Sequence, residues 1–144
     1  MNYRQLFYKS IIAILANLFS LTAVAQVVVI VSPSTAITTL DADTISRIYL
    51  SKENMLPNGS VVEPLDQKKG SVERVTFYDV VVKKSENQLN AYWARLTFTG
   101  KGEPPEIVDN GNEVKKRVAS NPKFIGYIDS AMVDSTVKVV FTLP

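Results

Sequence analysis

The run Val27-Val28-Val29-Ile30-Val31 constrains the fold more than any other feature of the sequence. A strand with one wet face alternates apolar and polar residues. A continuous β-branched run has no wet face, so this strand must lie in a sheet covered on both sides. The chain has 144 residues, 46% of them hydrophobic, which is enough for one such domain but not for two. It contains no cysteine and no histidine. That excludes a disulfide framework, a thiol nucleophile, haem attachment, a Ser-His-Asp triad and imidazole-held zinc.

Residues 1–25 have a different character. Arg4 and Lys9 precede an apolar stretch from Ile11 to Ala25, which ends in Ala23-Val24-Ala25 with small residues where a signal peptidase cuts. Residues 1–25 are expected to be a secretory signal peptide and residues 26–144 a single exported domain. The competing reading is a membrane anchor. The stretch is interrupted by Asn17, Ser20 and Thr22 and falls short of the roughly 20 residues a spanning helix needs unless Val27–Val31 is added to it. Removing Arg4 and Lys9 from the 16 basic residues leaves 14 against 14 acidic ones, a formally neutral domain. Such a domain has no electrostatic footprint for nucleic acid or for an anionic membrane surface. A neutral, exported, cysteine-free domain fits the bacterial periplasm, and its contact with the membrane is expected only through the leader before cleavage.

The rest of the chain alternates between elements. Asp41 is placed to cap a helix carrying Ile45, Ile48 and Tyr49 on one face, and Pro57-Asn58-Gly59 is a turn. A short strand is expected at Val61–Leu65. A long helical stretch after Gly70-Ser71 carries Val75, Tyr78 and Val82 at helical spacing. Ser85 and Gln88 form a capping box ahead of the stripe Leu89, Tyr92, Trp93 and Leu96, whose spacing is that of a core face. Residues 99–110, with Gly100, Gly102 and Pro104-Pro105, read as a loop. Glu113–Ser120 reads as a helix, and Phe124–Ile128 and Val137–Thr142 as the last strands. The sum is an α/β domain of about four strands and four helices.

Few residues offer chemistry. Asp66-Gln67-Lys68-Lys69-Gly70-Ser71 runs from a strand end through glycine into a helix, where unpaired backbone N–H groups and the helix dipole favour an anion. The plainer reading is that Ser71 only caps its own helix, and Glu73 in the first turn already complements the dipole. Ser32, Ser34 and Thr35 follow the first strand and are expected at the same sheet edge as Gly70, since ligands of open α/β sheets sit outside the carboxyl ends of strands. The alternative there is a turn closed by local hydroxyl-to-backbone bonds. The acidic pairs Asp41/Asp43 and Glu103/Glu106 lie in a helix start and a Pro-rich loop, without a pocket to split their pKa values. No enzyme, metal site or cofactor is expected.

Several segments together resemble the periplasmic phosphate-binding proteins of phosphate ABC transporters, and in particular their short, single-lobe relatives. They are Leu40-Asp41-Ala42-Asp43-Thr44-Ile45-Ser46-Arg47-Ile48-Tyr49-Leu50, Pro57-Asn58-Gly59, Gly70-Ser71 with Arg74 and Phe77, Ala91-Tyr92-Trp93, Phe98-Thr99-Gly100-Lys101-Gly102-Glu103-Pro104-Pro105 and Ile125-Gly126-Tyr127-Ile128. The resemblance implies a small mixed sheet flanked by helices, as in one lobe of a type II periplasmic binding protein. It also implies a tetrahedral oxyanion such as phosphate as ligand, held at Gly70 and Ser71 with Gln67 near by; the turn at Ser32 and Ser34 is expected opposite them from its place after the first strand. Val72 and Glu73 stand where the family has Gly and Thr, and Gln67 stands near the family's arginine. The partner implied is the oxyanion, with a self-dimer or an envelope protein completing the single lobe. The alternative is a one-lobe protein-interaction module without ligand.

Overall fold

The computed structural model describes residues 25–144, so the leader expected over residues 1–25 lies, but for its last residue, outside the described residues. Among the described residues, five strands and four α-helices alternate along the chain. They are β1 (Val27–Val31), α1 (Ala42–Tyr49), β2 (Glu63–Gln67), α2 (Val72–Phe77), α3 (Glu86–Phe98), β3 (Glu106–Val108), α4 (Gly111–Ser120), β4 (Phe124–Asp129) and β5 (Lys138–Thr142). They build one mixed sheet in the order β3-β2-β4-β1-β5. β2 runs parallel to β3 and β4, and β1 runs antiparallel to β4 and β5.

The β1 run behaves as its composition demands. All five residues are buried, and successive side chains feed opposite faces. Val27, Val29 and Val31 join a core under α1, α2 and α3 that includes Ile45, Tyr49, Phe77 and Leu89. Val28 and Ile30 join a second core with Leu65, Val108, Val114 and Val118 beneath α4. This is a sheet between two helical layers.

Helix starts were plain in the sequence. The Asp41 carboxylate accepts from the Thr44 amide at 2.7 Å, and the Ser85/Gln88 capping box is complete on both sides. Tyr92 and Trp93 pack against the first core while remaining half-buried. α4 starts at Gly111, two residues earlier than expected, because the Asn110 side chain accepts from Glu113 N and caps it.

Three expectations need correction. The strand placed at Val61–Leu65 is shifted to Glu63–Gln67, and Val61 makes only an isolated bridge to Met55. The loop 99–110 contains β3, a three-residue edge strand that Pro104-Pro105 disguises as irregular chain. The helix after Ser71 is not continuous. α2 gives way to a π-helical segment, Tyr78–Val82, closed by Lys83 at φ +57°. Tyr78 and Val82 point inward as expected, together with Arg74, Phe77 and Val81, while Val75 is 59% exposed.

The seat of α4 is set by a glycine. A Cβ on Gly126 of β4 would stand 2.3 Å from Val114 Cγ1. Gly126→Ala is therefore expected to push α4 off the sheet, at a cost of about 1–3 kcal/mol. Chemical denaturation checks this, and an unchanged midpoint would mean that α4 is not seated this tightly.

Candidate functional site at the carboxyl end of β2

The last three residues of β2, Leu65-Asp66-Gln67, are all buried, and the chain emerges only at Lys68. It then turns through Lys69 and Gly70 to Ser71. Gly70 has φ +84°, a left-handed conformation that glycine adopts without strain. Ser71 Oγ accepts from Arg74 N at 3.3 Å, so the serine caps α2. Both lysines of the turn are paired. Lys68 reaches Asp109 at 3.1 Å, and Lys69 reaches Glu86 at 3.4 Å and Asn90 at 3.1 Å.

Gln67 faces inward. Its side-chain amide donates to the Tyr127 carbonyl at 2.8 Å, and the residue is 3% exposed. Beside it lies Asp66, 2% exposed. Asp66 Oδ1 accepts from the Tyr127 hydroxyl and from Gln67 N at 2.8 Å, while Oδ2 accepts from Arg74 Nη1 and from the Tyr78 hydroxyl at 2.7 Å. Arg74 also donates to Gln67 O at 3.2 Å and to Glu86 at 3.3 Å. Burial opposes the Arg74 charge, but the neighbouring Asp66, Tyr78 and Glu86 leave its pKa above the ordinary arginine value. Burial, reinforced by the Asp66 carboxylate, pushes the Tyr78 and Tyr127 hydroxyls far above the usual tyrosine range.

The structure separates the residues expected to share this edge. Val27 pairs with Asp129 and Val31 with Ile125, while Pro64 of β2 also pairs with Ile125. The carboxyl end of β1 therefore lies beside the amino ends of β2 and β4. Ser32 and Ser34 are consequently at the opposite edge of the sheet from Gln67, Gly70 and Ser71. The expectation of a common edge failed because β1 runs antiparallel to its neighbours. Ser32 and Ser34 form the local hydroxyl turn, with Oγ atoms 2.9 Å apart and Ser34 N donating to Ser32 Oγ at 3.3 Å. Ser34 lines an open cleft of about 420 Å³ with Asn58, Ser60, Asn121 and Lys123.

Of the candidate set, Gly70 and Ser71 are at the open surface of the β2 edge and Gln67 is beneath it. Sequence reasoning missed the buried cluster of Asp66, Arg74, Tyr78 and Tyr127. One signal was available: Arg74 sits three and four residues before the aromatic pair Phe77 and Tyr78, so an apolar helical face carries a cation that must find a buried partner.

No protein-family model matches the sequence, and no curated protein matches it. Solved structures do match in fold. The chain has the architecture of one lobe of the substrate-binding proteins of phosphate ABC transporters. One such structure is a phosphate ABC transporter substrate-binding protein from Clostridium perfringens with bound phosphate. It aligns at 22% identity and a TM-score of 0.65, over 80% of this chain and 44% of that one. An ABC-type phosphate transport receptor from Vibrio cholerae aligns at 16% identity and a TM-score of 0.65, over 80% and 45%. PstS from Borrelia burgdorferi aligns at 13% identity and a TM-score of 0.61, over 80% and 46%. The chain thus spans less than half the length of these neighbours. No helix among the described residues is long and apolar enough to cross a membrane.

Proposed function

We propose that this chain is an exported, single-lobe solute-binding-type protein of the periplasm that takes phosphate or a related oxyanion, in connection with phosphate uptake or sensing. The anion sits against the exposed turn Lys68–Ser71, with the Gly70 backbone and the Ser71 hydroxyl as donors and Gln67 bracing the turn from below. The observation that carries the reading is positional. This turn lies outside the carboxyl end of a parallel strand, in the fold that neighbouring phosphate-transport receptors use. The protein is not an enzyme in this account, and an envelope partner or a second copy supplies the facing surface that a single lobe lacks.

A second reading is favoured by one observation. The Arg74 charge is engaged by Asp66 and Glu86, and the turn lysines by Asp109 and Glu86, so little uncompensated positive charge faces solvent at this edge. That arrangement supports a one-lobe interaction module of an envelope assembly, without ligand.

Calorimetric titration of phosphate, with sulfate as control, separates the two. The first reading predicts saturable heat that Ser71→Ala abolishes while costing about 1 kcal/mol of stability through the lost helix cap. Silence at millimolar phosphate in folded protein favours the interaction module.

A further inference from the structure

The donors around Asp66 form an arrangement that could bind a free oxyanion. An ionised carboxylate has two oxygens and about four lone-pair sites. At Asp66 these meet a guanidinium N–H, two phenolic hydroxyls and a backbone amide, drawn from α2, the π-helical segment, β4 and β2. Most of these donors are also held by partners other than Asp66. Arg74 is fixed by Gln67 O and Glu86, and its guanidinium lies 4.8 Å from the centre of the Tyr78 ring. The Tyr127 hydroxyl accepts from Gln67 N at 3.2 Å, and its ring stacks on Phe77 with centroids 4.2 Å apart. Donors fixed by other contacts do not have to reorganise to receive an anion.

We propose that Asp66 is a resident anion: its carboxylate permanently fills a small-oxyanion site at the carboxyl end of β2, and removing it opens that site to a free carboxylate or to phosphate. The inference rests on the functional reading only for the edge at which ligands are placed. It adds a specificity determinant to that reading. A tethered carboxylate competes at high effective concentration, so no dissolved oxyanion displaces it. Phosphate reaching the wild-type protein meets the Lys68–Ser71 turn without the buried guanidinium. A charge-assisted bond is about twice as strong as a neutral one, so wild-type affinity is correspondingly low.

The test is chemical rescue. Asp66→Ala keeps the β-carbon and lacks a carboxylate the size of formate. Thermal unfolding is followed in formate, acetate, inorganic phosphate and chloride at matched ionic strength, for Asp66→Ala, Asp66→Asn and the wild type. Formate at a hundred times its dissociation constant is expected to raise the Asp66→Ala midpoint by about 10 °C above the chloride control. Asp66→Asn, whose amide still fills the space, and the wild type are expected to show no such shift. A folded Asp66→Ala that responds to formate, acetate and phosphate no more than to chloride overturns the proposal. So does an Asp66→Ala that stays unfolded in all of them, since free anions then cannot stand in for the carboxylate. Neither result bears on wild-type phosphate binding, whose absence would sink the functional reading alone.

Discussion

Arg74→Met is expected to destabilise the protein by about 3–5 kcal/mol, more than most single substitutions on its surface. Methionine keeps much of the aliphatic packing and removes the guanidinium. Asp66 then remains buried, with two tyrosine hydroxyls and one amide but no countercharge. The double variant Asp66→Asn/Arg74→Met is expected to recover a large part of the loss. The double-mutant cycle should return a coupling of about 2–3 kcal/mol, the upper range for residues sharing one buried network. Urea unfolding of the four proteins measures it. An arginine reserved for a ligand in an open cleft would give a near-silent single variant and no coupling.

The same cluster makes the fold sensitive to alkali. Tyr49, Tyr78 and Tyr127 are all buried, and burial, aided by the Asp66 carboxylate, raises each hydroxyl pKa well above its ordinary value. A raised tyrosine pKa means that the folded state keeps a proton the unfolded chain releases above about pH 10. The stabilisation is whole below pH 10 and is lost as pH rises toward the folded-state values. Each group contributes a slope of about 1.4 kcal/mol per pH unit, so three together give about 4 kcal/mol per unit. Tyrosinate absorbance for these three residues should appear together with loss of the circular dichroism signal, in one steep transition. Stepwise ionisation with an intact fold would show that the hydroxyls are not sealed from solvent.

Much of the fold was legible locally. The β1 run announced a two-faced sheet because no other arrangement buries five consecutive β-branched side chains. Asp41 and the Ser85/Gln88 pair announced their helices because capping is a contact between near neighbours in sequence. β3 was hidden because three residues behind two prolines carry no periodicity. The π-helical segment was hidden because the apolar spacing of its stretch suits a regular helix and no local residue marks the wider turn.

The candidate site was legible only as a segment. Gly70 and Ser71 follow a strand in the sequence and do so in the structure, but strand direction is fixed by long-range pairing. The antiparallel course of β1 therefore sent Ser32 and Ser34 to the far edge. Gln67 next to a turn could point outward or inward, and the Tyr127 carbonyl, distant in sequence, decides for inward. The Asp66 cluster gathers residues from four parts of the chain, with only the Arg74–Phe77–Tyr78 spacing as a local sign.

The central claim is that this single lobe receives an oxyanion at the Lys68–Ser71 turn. The most direct measurement is a titration of ¹⁵N-labelled protein with phosphate, followed by amide chemical shifts. The account predicts saturable shifts centred on Gly70, Ser71 and Val72, with Ser32 and Ser34 unmoved. Shifts at the Ser32–Ser34 turn instead, or no saturable shift anywhere, would contradict it.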